Sequence, residues 1–448
     1  MIKTYFDKKY NFNEIFDTIT GMYVRSGILD ENGKDTNVDP FMRSFPGLID
    51  IGIMSSCTHG RTGLCAKAGI QCYQNGLNQF GPNMTLENYQ RIIDEGEKKG
   101  LFQVALGGRG DPDMHENFED IIRYSAEHYI TPNFTTSGLG MTPEKAALCK
   151  QYCGAVAVSQ YSRLDDLVPD IALRRVADPA NRKVYRSAED IPVLWTFGDT
   201  NPDCYFDGPN YVINGEYYGW DELHHMVYSD KPQEYEFFRV FNEKRHDNVP
   251  NYTMNAIQML LNAGVKTNIH FVLGNNTIDE AICRLKYNGF PKGINAVIFL
   301  LHKPVGLGQE ENVLQSDNPK VAEFFALIDK GGFPFKVGFD SCTVPAILNH
   351  TSHIAPESID SCEGGRYSMY ITADMKALPC SFDNQEMIWA YDISNDTIMN
   401  AWNSKQFDDF RSHFHNSCPN CPNRTSCYGG CPIRRSTVVC SRNTKDLQ

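Results

Sequence analysis

Residues 48–57, LIDIGIMSSC, read as a buried strand that ends on a cysteine, and the pattern that follows decides the fold. Residues 85–100, TLENYQRIIDEGEKKG, open on a capping threonine and close on a glycine, which predicts a helix. LFQVALGG (101–108) is a second strand, HENFEDIIRYSAEHY (115–129) a helix, ITPNFTTSG (130–138) a third strand, TPEKAALCKQYC (142–153) a helix and GAVAVSQY (154–161) a fourth strand. Past an interruption come a helix over 251–264, a strand over 265–274, a helix over 277–288 and a strand over 295–304. Six such units predict an α/β fold, a partial (β/α)6 TIM-type barrel whose working face lies at the carboxyl ends of its strands. Cys57 stands at that end of the first strand.

Three segments fall outside the rhythm. Residues 1–47 form an N-terminal extension ahead of a barrel that occupies 48–340. Residues 161 to about 250 are polar and rich in aromatics, too long for a bare connection and too aromatic for disorder, which predicts an ordered insertion. From 341 to 448 helical patterning gives way to turns and cysteines, as in CEGGRYSMYITADMKALPC and CPNCPNRTSCYGGC. So little apolar periodicity predicts a tail held together by metal staples.

Composition narrows the function. With 41% hydrophobic and 22% charged residues the chain buries a large core. No apolar run reaches the roughly 18 residues that span a bilayer, and the opening MIKTYFDKKYNFNEIFD has no signal-peptide stretch, so a cytoplasmic location is expected. A net charge of -13 without a basic run argues against nucleic acid and membrane as partners and favours small molecules or cationic peptides. Fifteen cysteines in a reducing compartment are not a disulfide framework. Three fall within 57–72 and eight within 342–440, a clustering that points to metal.

Cys418, Cys421, Cys427 and Cys431 are separated by two, five and three residues, and Cys440 follows. Gly429 and Gly430 allow a tight backbone turn there. With Cys342, Cys362 and Cys380 there are eight thiols, enough for two tetrahedral zinc ions or two four-iron clusters. Spacing alone does not choose between them.

The tail resembles the SPASM domain of radical S-adenosylmethionine enzymes. That resemblance implies two auxiliary 4Fe–4S clusters, one on Cys342, Cys362, Cys380 and Cys431 and one on Cys418, Cys421, Cys427 and Cys440. Met375 stands five residues before Cys380, where the family usually has glycine. In the barrel the same family binds a third cluster, with one iron left open for S-adenosylmethionine, through three cysteines after the first strand. Cys57, Cys65 and Cys72 supply three, at gaps of seven and six residues where the family usually has three and two. Closure entropy grows only logarithmically, about 0.6 kcal/mol per doubling of loop length, so the wider loop is tolerated. Gly60, Gly63 and Gly69 let it fold back, and Tyr73 is the aromatic that often follows the third cysteine. Gly107 and Gly108, in ALGGRGDP, match the family's glycine pair beside the cofactor amino group, with Asp111 as its negative partner. Ser159, at the end of the fourth strand, is the polar contact to the cofactor, while Gln160, Ile298 and Leu300 read equally well as strand-end and core residues.

The resemblance implies an oxidoreductase of the peptide-maturase type, which abstracts hydrogen from a ribosomally made peptide and closes a thioether or carbon–carbon crosslink. Its partners are the precursor peptide, an external low-potential electron donor and a leader-binding element, either a separate protein or the insertion. Two other readings stay open: oxidation of a Cys or Ser or epimerisation in a protein or peptide, and a zinc-stapled binding scaffold without activity. Cys149, Cys153, Cys204 and Cys283 are expected to be free core or insertion thiols. His59, His115, His224 and His225 are expected at the surface or behind the ligands, because none has metal spacing.

Overall fold

The first 47 residues already carry a sheet, formed in the computed structural model by β1 (Ile2–Asp7), β2 (Phe12–Asp17) and β3 (Tyr23–Arg25), antiparallel in that order. Alternation in β2 buries Phe12, Glu14 and Phe16 on one face. The Glu14 carboxylate accepts from Arg43 Nε at 2.6 Å with both side chains fully buried, and Arg43 also donates to the carbonyls of Phe45 and Gly100. That ties the extension to the first barrel unit. The structure describes residues 1–63, 70–74, 76–77, 81–160, 163–164, 167, 170–175, 185–187, 190–196, 204–207, 210–213, 216–218, 235–242, 252–355, 358–414, 418 and 420–440.

All six expected barrel strands form. β4 (Leu48–Ile51), β5 (Gln103–Leu106), β6 (Thr131–Thr136) and β7 (Val156–Ser159) pair in parallel, each beside the one before it. Short helix α1 (Thr58–Thr62) follows β4, and α2 (Leu86–Lys99), α3 (Phe118–Glu127) and α4 (Pro143–Tyr152) make the crossovers. Thr85 caps α2 by accepting from the Asn88 N–H, and Gly100 ends it in the left-handed conformation.

The insertion belongs to a second compact unit, residues 162–254 with 279–291. Among its described residues β8 (Asp170–Arg175) and β9 (Val193–Thr196) flank β13 (Tyr235–Asn242), while β10 (Cys204–Asp207), β11 (Asn210–Ile213) and β12 (Glu216–Tyr218) form an antiparallel sheet.

After α5 (Tyr252–Asn262) the barrel resumes with β14 (Thr267–Leu273), α6 (Ile278–Lys286), β15 (Ala296–Leu301), α7 (Pro319–Lys330) and a seventh parallel strand, β16 (Lys336–Phe339). At the other edge the tail supplies β17 (Ser368–Ile371), parallel to β4, then antiparallel β18 (Lys376–Leu378) and β19 (Tyr391–Asp392). The result is one sheet of ten strands.

Two adjacent register rows show its faces. Ile371, Ile51, Leu106 and Phe134 lie side by side, each 2% exposed or less, and bury the helix-facing side. The next row, Tyr370, Asp50, Ala105 and Asn133, points the other way, into the lumen. Large branched side chains fill the lumen of a packed barrel. Here the row holds Tyr370, Ala105 and two polar side chains, Asp50 and Asn133, with no branched aliphatic residue.

The expectation that only metal would hold the tail is corrected by its aromatic core. Trp402, Phe407, Phe410 and Phe414 are buried, and Trp389, Phe410 and Phe414 pack with Phe41 and Tyr428. The Arg366 guanidinium lies 4.8 Å from the Phe41 ring and 4.3 Å from that of Tyr428. Phe41 lies more than 300 positions from these partners, so no local periodicity could announce the cluster. Among the described residues no helix is long and apolar enough to cross a membrane.

Candidate iron–sulfur and cofactor site

Cys57 is the N-cap of α1, where its Sγ accepts from the Gly60 N–H at 3.5 Å. Gly60 is needed because a Cβ there would stand 1.9 Å from the Gly76 carbonyl oxygen. Burial pushes the Cys57 thiol up, and the nearby charges of Asp111 and Cys72 push the same way. The Cys72 carbonyl accepts from the Leu307 N–H at 2.9 Å, so the loop after β15 braces the returning segment. The structure therefore brings Cys57 and Cys72 together; Cys65 lies outside the described residues.

Gly107 N–H donates to the Ile51 carbonyl at 3.0 Å, and a Cβ on Gly107 would meet nothing within 4 Å, so this backbone fronts open space. Gly108 has φ +87°, and a Cβ there would lie 2.6 Å from Tyr370 Oη. Asp111 sits behind the pair with both oxygens engaged, Oδ1 by the Ser137 N–H at 3.0 Å and Oδ2 by the Ser137 hydroxyl. Burial pushes its carboxyl up, against those hydrogen bonds.

This network includes residues that motif reading did not assign. His59 Nε2 lies 3.3 Å from Ser137 Oγ, which makes His59 a buried supporting group. Asp113 accepts from Thr136 Oγ1 at 2.9 Å, and burial, then Asp111, push its carboxyl up to about 6. The run GDPD was the available signal. His115 is also buried, near the Met84 carbonyl at 3.0 Å, while His224 and His225 lie outside the described residues. Ser159 pairs in register with His270, whose Nδ1 is 3.4 Å from Thr135 Oγ1 and whose imidazole burial pushes down to about 4.

Both tail quartets assemble. Cys342 and Cys431 are hydrogen-bonded to each other, and Cys362 and Cys380 lie close enough for their charges to interact with Cys342. Burial pushes Cys362 up to about 12 and Cys380 higher still. Lys303 answers this concentration of thiols. Its Nζ donates to Asp340 Oδ2 at 2.8 Å and to the Leu301 carbonyl at 2.9 Å, and lies 4.4 Å from the Phe382 ring centre. Burial opposes its charge, but Asp340 and Cys342 outweigh burial and keep it protonated. Cys418, Cys421, Cys427 and Cys440 line one cavity with Asn349, whose Nδ2 donates to Cys440 Sγ at 3.4 Å. Burial pushes Cys427 up to about 11, and Cys440 and Cys418 add to it.

Thiols this costly to ionise in an apolar setting need a cation that binds the thiolate form. Among the described residues no three Cys, His, Asp or Glu side chains close on one point as around a single ion. A four-iron core is several ångströms across and suits thiols spread around a cavity, as in the second quartet. The four other thiols divide: Cys149 and Cys283 are buried, Cys153 is half-buried and Cys204 opens β10.

Residues 362–423 match the SPASM family, an iron–sulfur cluster-binding domain. The chain therefore carries, beside a ten-stranded sheet of partial-barrel type, a tail that matches an iron–sulfur cluster-binding domain of the SPASM family. In sequence it is similar to the mycofactocin maturases MftC of Mycolicibacterium smegmatis, 30% identical over 83 residues, and of Mycobacterium ulcerans, 30% identical over 96 residues. These matches cover 18% and 21% of this chain, and the chain spans only 21% and 26% of the length of those relatives. In structure it is similar to Streptococcus suis SuiB bound to its precursor peptide SuiA, with a TM-score of 0.55 at 11% identity over 96% of this chain and 94% of SuiB. A second similar structure is anSMEcpe with bound AdoMet, with a TM-score of 0.50 at 15% identity over 90% of this chain and 92% of that one.

Proposed function

We propose that this chain is a peptide maturase that takes hydrogen from a ribosomally made precursor and closes a thioether or carbon–carbon crosslink. Cys57, Cys65 and Cys72 would hold a cluster with one open iron, and the two tail quartets one auxiliary cluster each. When bound, that first cluster and S-adenosylmethionine supply a 5′-deoxyadenosyl radical.

The protein's own groups supply position and exclusion. Gly107 presents bare backbone to open space at the carboxyl end of β5, where a cofactor amino group would find carbonyl acceptors. Asp111 adds negative charge behind it, Ser137 and His59 fix its orientation, and Ser159 offers a hydroxyl from β7. Lys303 offsets charge on the first quartet. The lumen beneath shields the reacting residue from bulk water.

The observation that carries the reading is that eight tail thiols form two separate quartets while Cys57 and Cys72 meet at the carboxyl end of the barrel. A peptide substrate is supported by the likeness to maturases and by the net charge of -13, which favours a cationic chain. An external low-potential donor would supply the electron. The leader would bind a separate protein or the insertion, where β8 and β9 are the outer strands of their sheet among the described residues and would accept an added peptide strand.

The test is anaerobic. Reconstituted protein, a reductant and S-adenosylmethionine should give 5′-deoxyadenosine, and Cys65→Ala should give none. No product from wild-type protein carrying a full iron complement overturns the reading. With a peptide in hand, a mass loss of two hydrogens marks crosslinking or oxidation and no loss marks epimerisation.

A further inference from the structure

The lumen-facing row Tyr370, Asp50, Ala105 and Asn133 holds one carboxylate, Asp50, which has neither hydrogen bond nor ion pair among the described residues. Ile49 and Ile51 beside it are fully buried on the opposite face, whereas Asp50 is half-buried. Its surroundings offer neutral polar groups: Asn133 Nδ2 is already given to Gln103 Oε1 at 3.1 Å, and Thr135 lies by His270, which burial keeps uncharged. A second acid, Glu363, is near enough for its charge to interact with that of Asp50, with Arg25 and Arg366 acting on Glu363 in the opposite sense, and Arg109 acts on Tyr370 of the same row.

Position gives this carboxylate a use. The Ile51 carbonyl, one residue on, accepts from Gly107, and a Cβ on Gly52, two residues on and on the same face as Asp50, would lie 2.3 Å from Tyr370 Oη. Asp50, in register with Ala105, therefore lies two register rows beneath Gly107 and on the same face, toward the interior of the barrel. A partly desolvated carboxylate without a partner is costly, and a cationic ligand would offset that cost.

We propose that Asp50 is a substrate-positioning residue whose carboxylate pairs with a cationic side chain, an amine or guanidinium, of the peptide segment that enters the barrel. This rests on the maturase reading and specifies its substrate. No bond is made or broken at Asp50; the pair fixes which carbon faces the glycine rim.

The test uses two probes, Nα-acetyl-lysine methylamide and its apolar isostere Nα-acetyl-2-aminoheptanoic acid methylamide, titrated by NMR into the reconstituted full chain with S-adenosylmethionine bound. The wild type should bind the lysine probe about tenfold more tightly, the worth of one charge-assisted bond. Asp50→Asn should erase that preference and Asp50→Glu should restore part of it. Equal binding of the two probes by the wild type, no saturable binding of the lysine probe, or a preference that survives in D50N each overturns the proposal. If D50N fails to fold, Asp50→Ser takes its place. Formation of 5′-deoxyadenosine without peptide is followed in parallel. Its presence alongside absent probe preference sinks only this inference, and its absence from every protein sinks the maturase reading.

Discussion

The rings of Tyr73 and Phe382 meet with 4.9 Å between centroids, inclined at 50°, and join the segment carrying Cys72 to the segment that follows Cys380. Asn384 strengthens the joint by donating to Gln74 Oε1 at 2.5 Å. The barrel loop is thus built against the first tail quartet.

Tyr73→Ala should free the barrel loop while sparing the tail. The expected result is a loss of about four irons per chain after reconstitution, one cluster's worth, with Tyr73→Phe unaffected because the ring makes the contact. Iron analysis of the two variants checks this, and an unchanged iron count in Tyr73→Ala would show that the ring contact does not hold the loop.

Lys303→Met leaves half-buried Asp340 without its cation, which should cost about 1–3 kcal/mol of stability. Adding Asp340→Asn should recover part of that loss. In K303M the first auxiliary cluster should also be reduced at a more negative potential, since a nearby positive charge has gone. Denaturant unfolding and a redox titration read the two effects.

Burial pushes the Asp50 carboxyl up to about 7, whereas an unfolded aspartate titrates near ~3.9. Between those values the folded chain keeps a proton that the unfolded chain has released, so this group's contribution to stability falls as pH rises from about 4 to about 7. Asp50→Asn should flatten that slope and be more stable than the wild type at pH 8 than at pH 5, relative to the wild type at each pH. Urea unfolding at the two pH values decides.

Met375 holds φ +62° where the family's glycine would stand, and is buried. The left-handed backbone costs a side-chain-bearing residue about 1–2 kcal/mol, while removing a buried methionine costs roughly 2–5 kcal/mol. Burial should win. Met375→Gly is expected to lower the melting temperature, and a rise would mean that strain dominates.

Much of this architecture was legible in local pattern. Thr85 and Gly100 bounded α2 as caps should, and every expected barrel strand formed, because two-sided burial writes short apolar runs into the sequence. The clustering of the cysteines marked the tail as a metal-binding region, while their division into two quartets came from the family resemblance. What stayed hidden depends on distant partners: β17 pairs with a strand far upstream, Lys303 acquires its role from Asp340 and Cys342, and Ser137 matters only because the fold brings Asp111 and His59 to it. β16 was missed because four residues with one central glycine, KVGF, carry almost no strand signal.

The pairing of β17 with β4 also sets an order of events during synthesis. Each β4 residue waits for a partner 320 positions later in the chain. At the ribosome's ~5–20 residues per second, one edge of the first barrel strand stays open for roughly 16–64 seconds. The segment carrying Cys72 likewise emerges long before Phe382 is made to pack on Tyr73. The finished shape of the loop around Cys57 and Cys72 therefore belongs after release of the tail, and a chain truncated before residue 368 would present β4 as an unpaired, aggregation-prone edge.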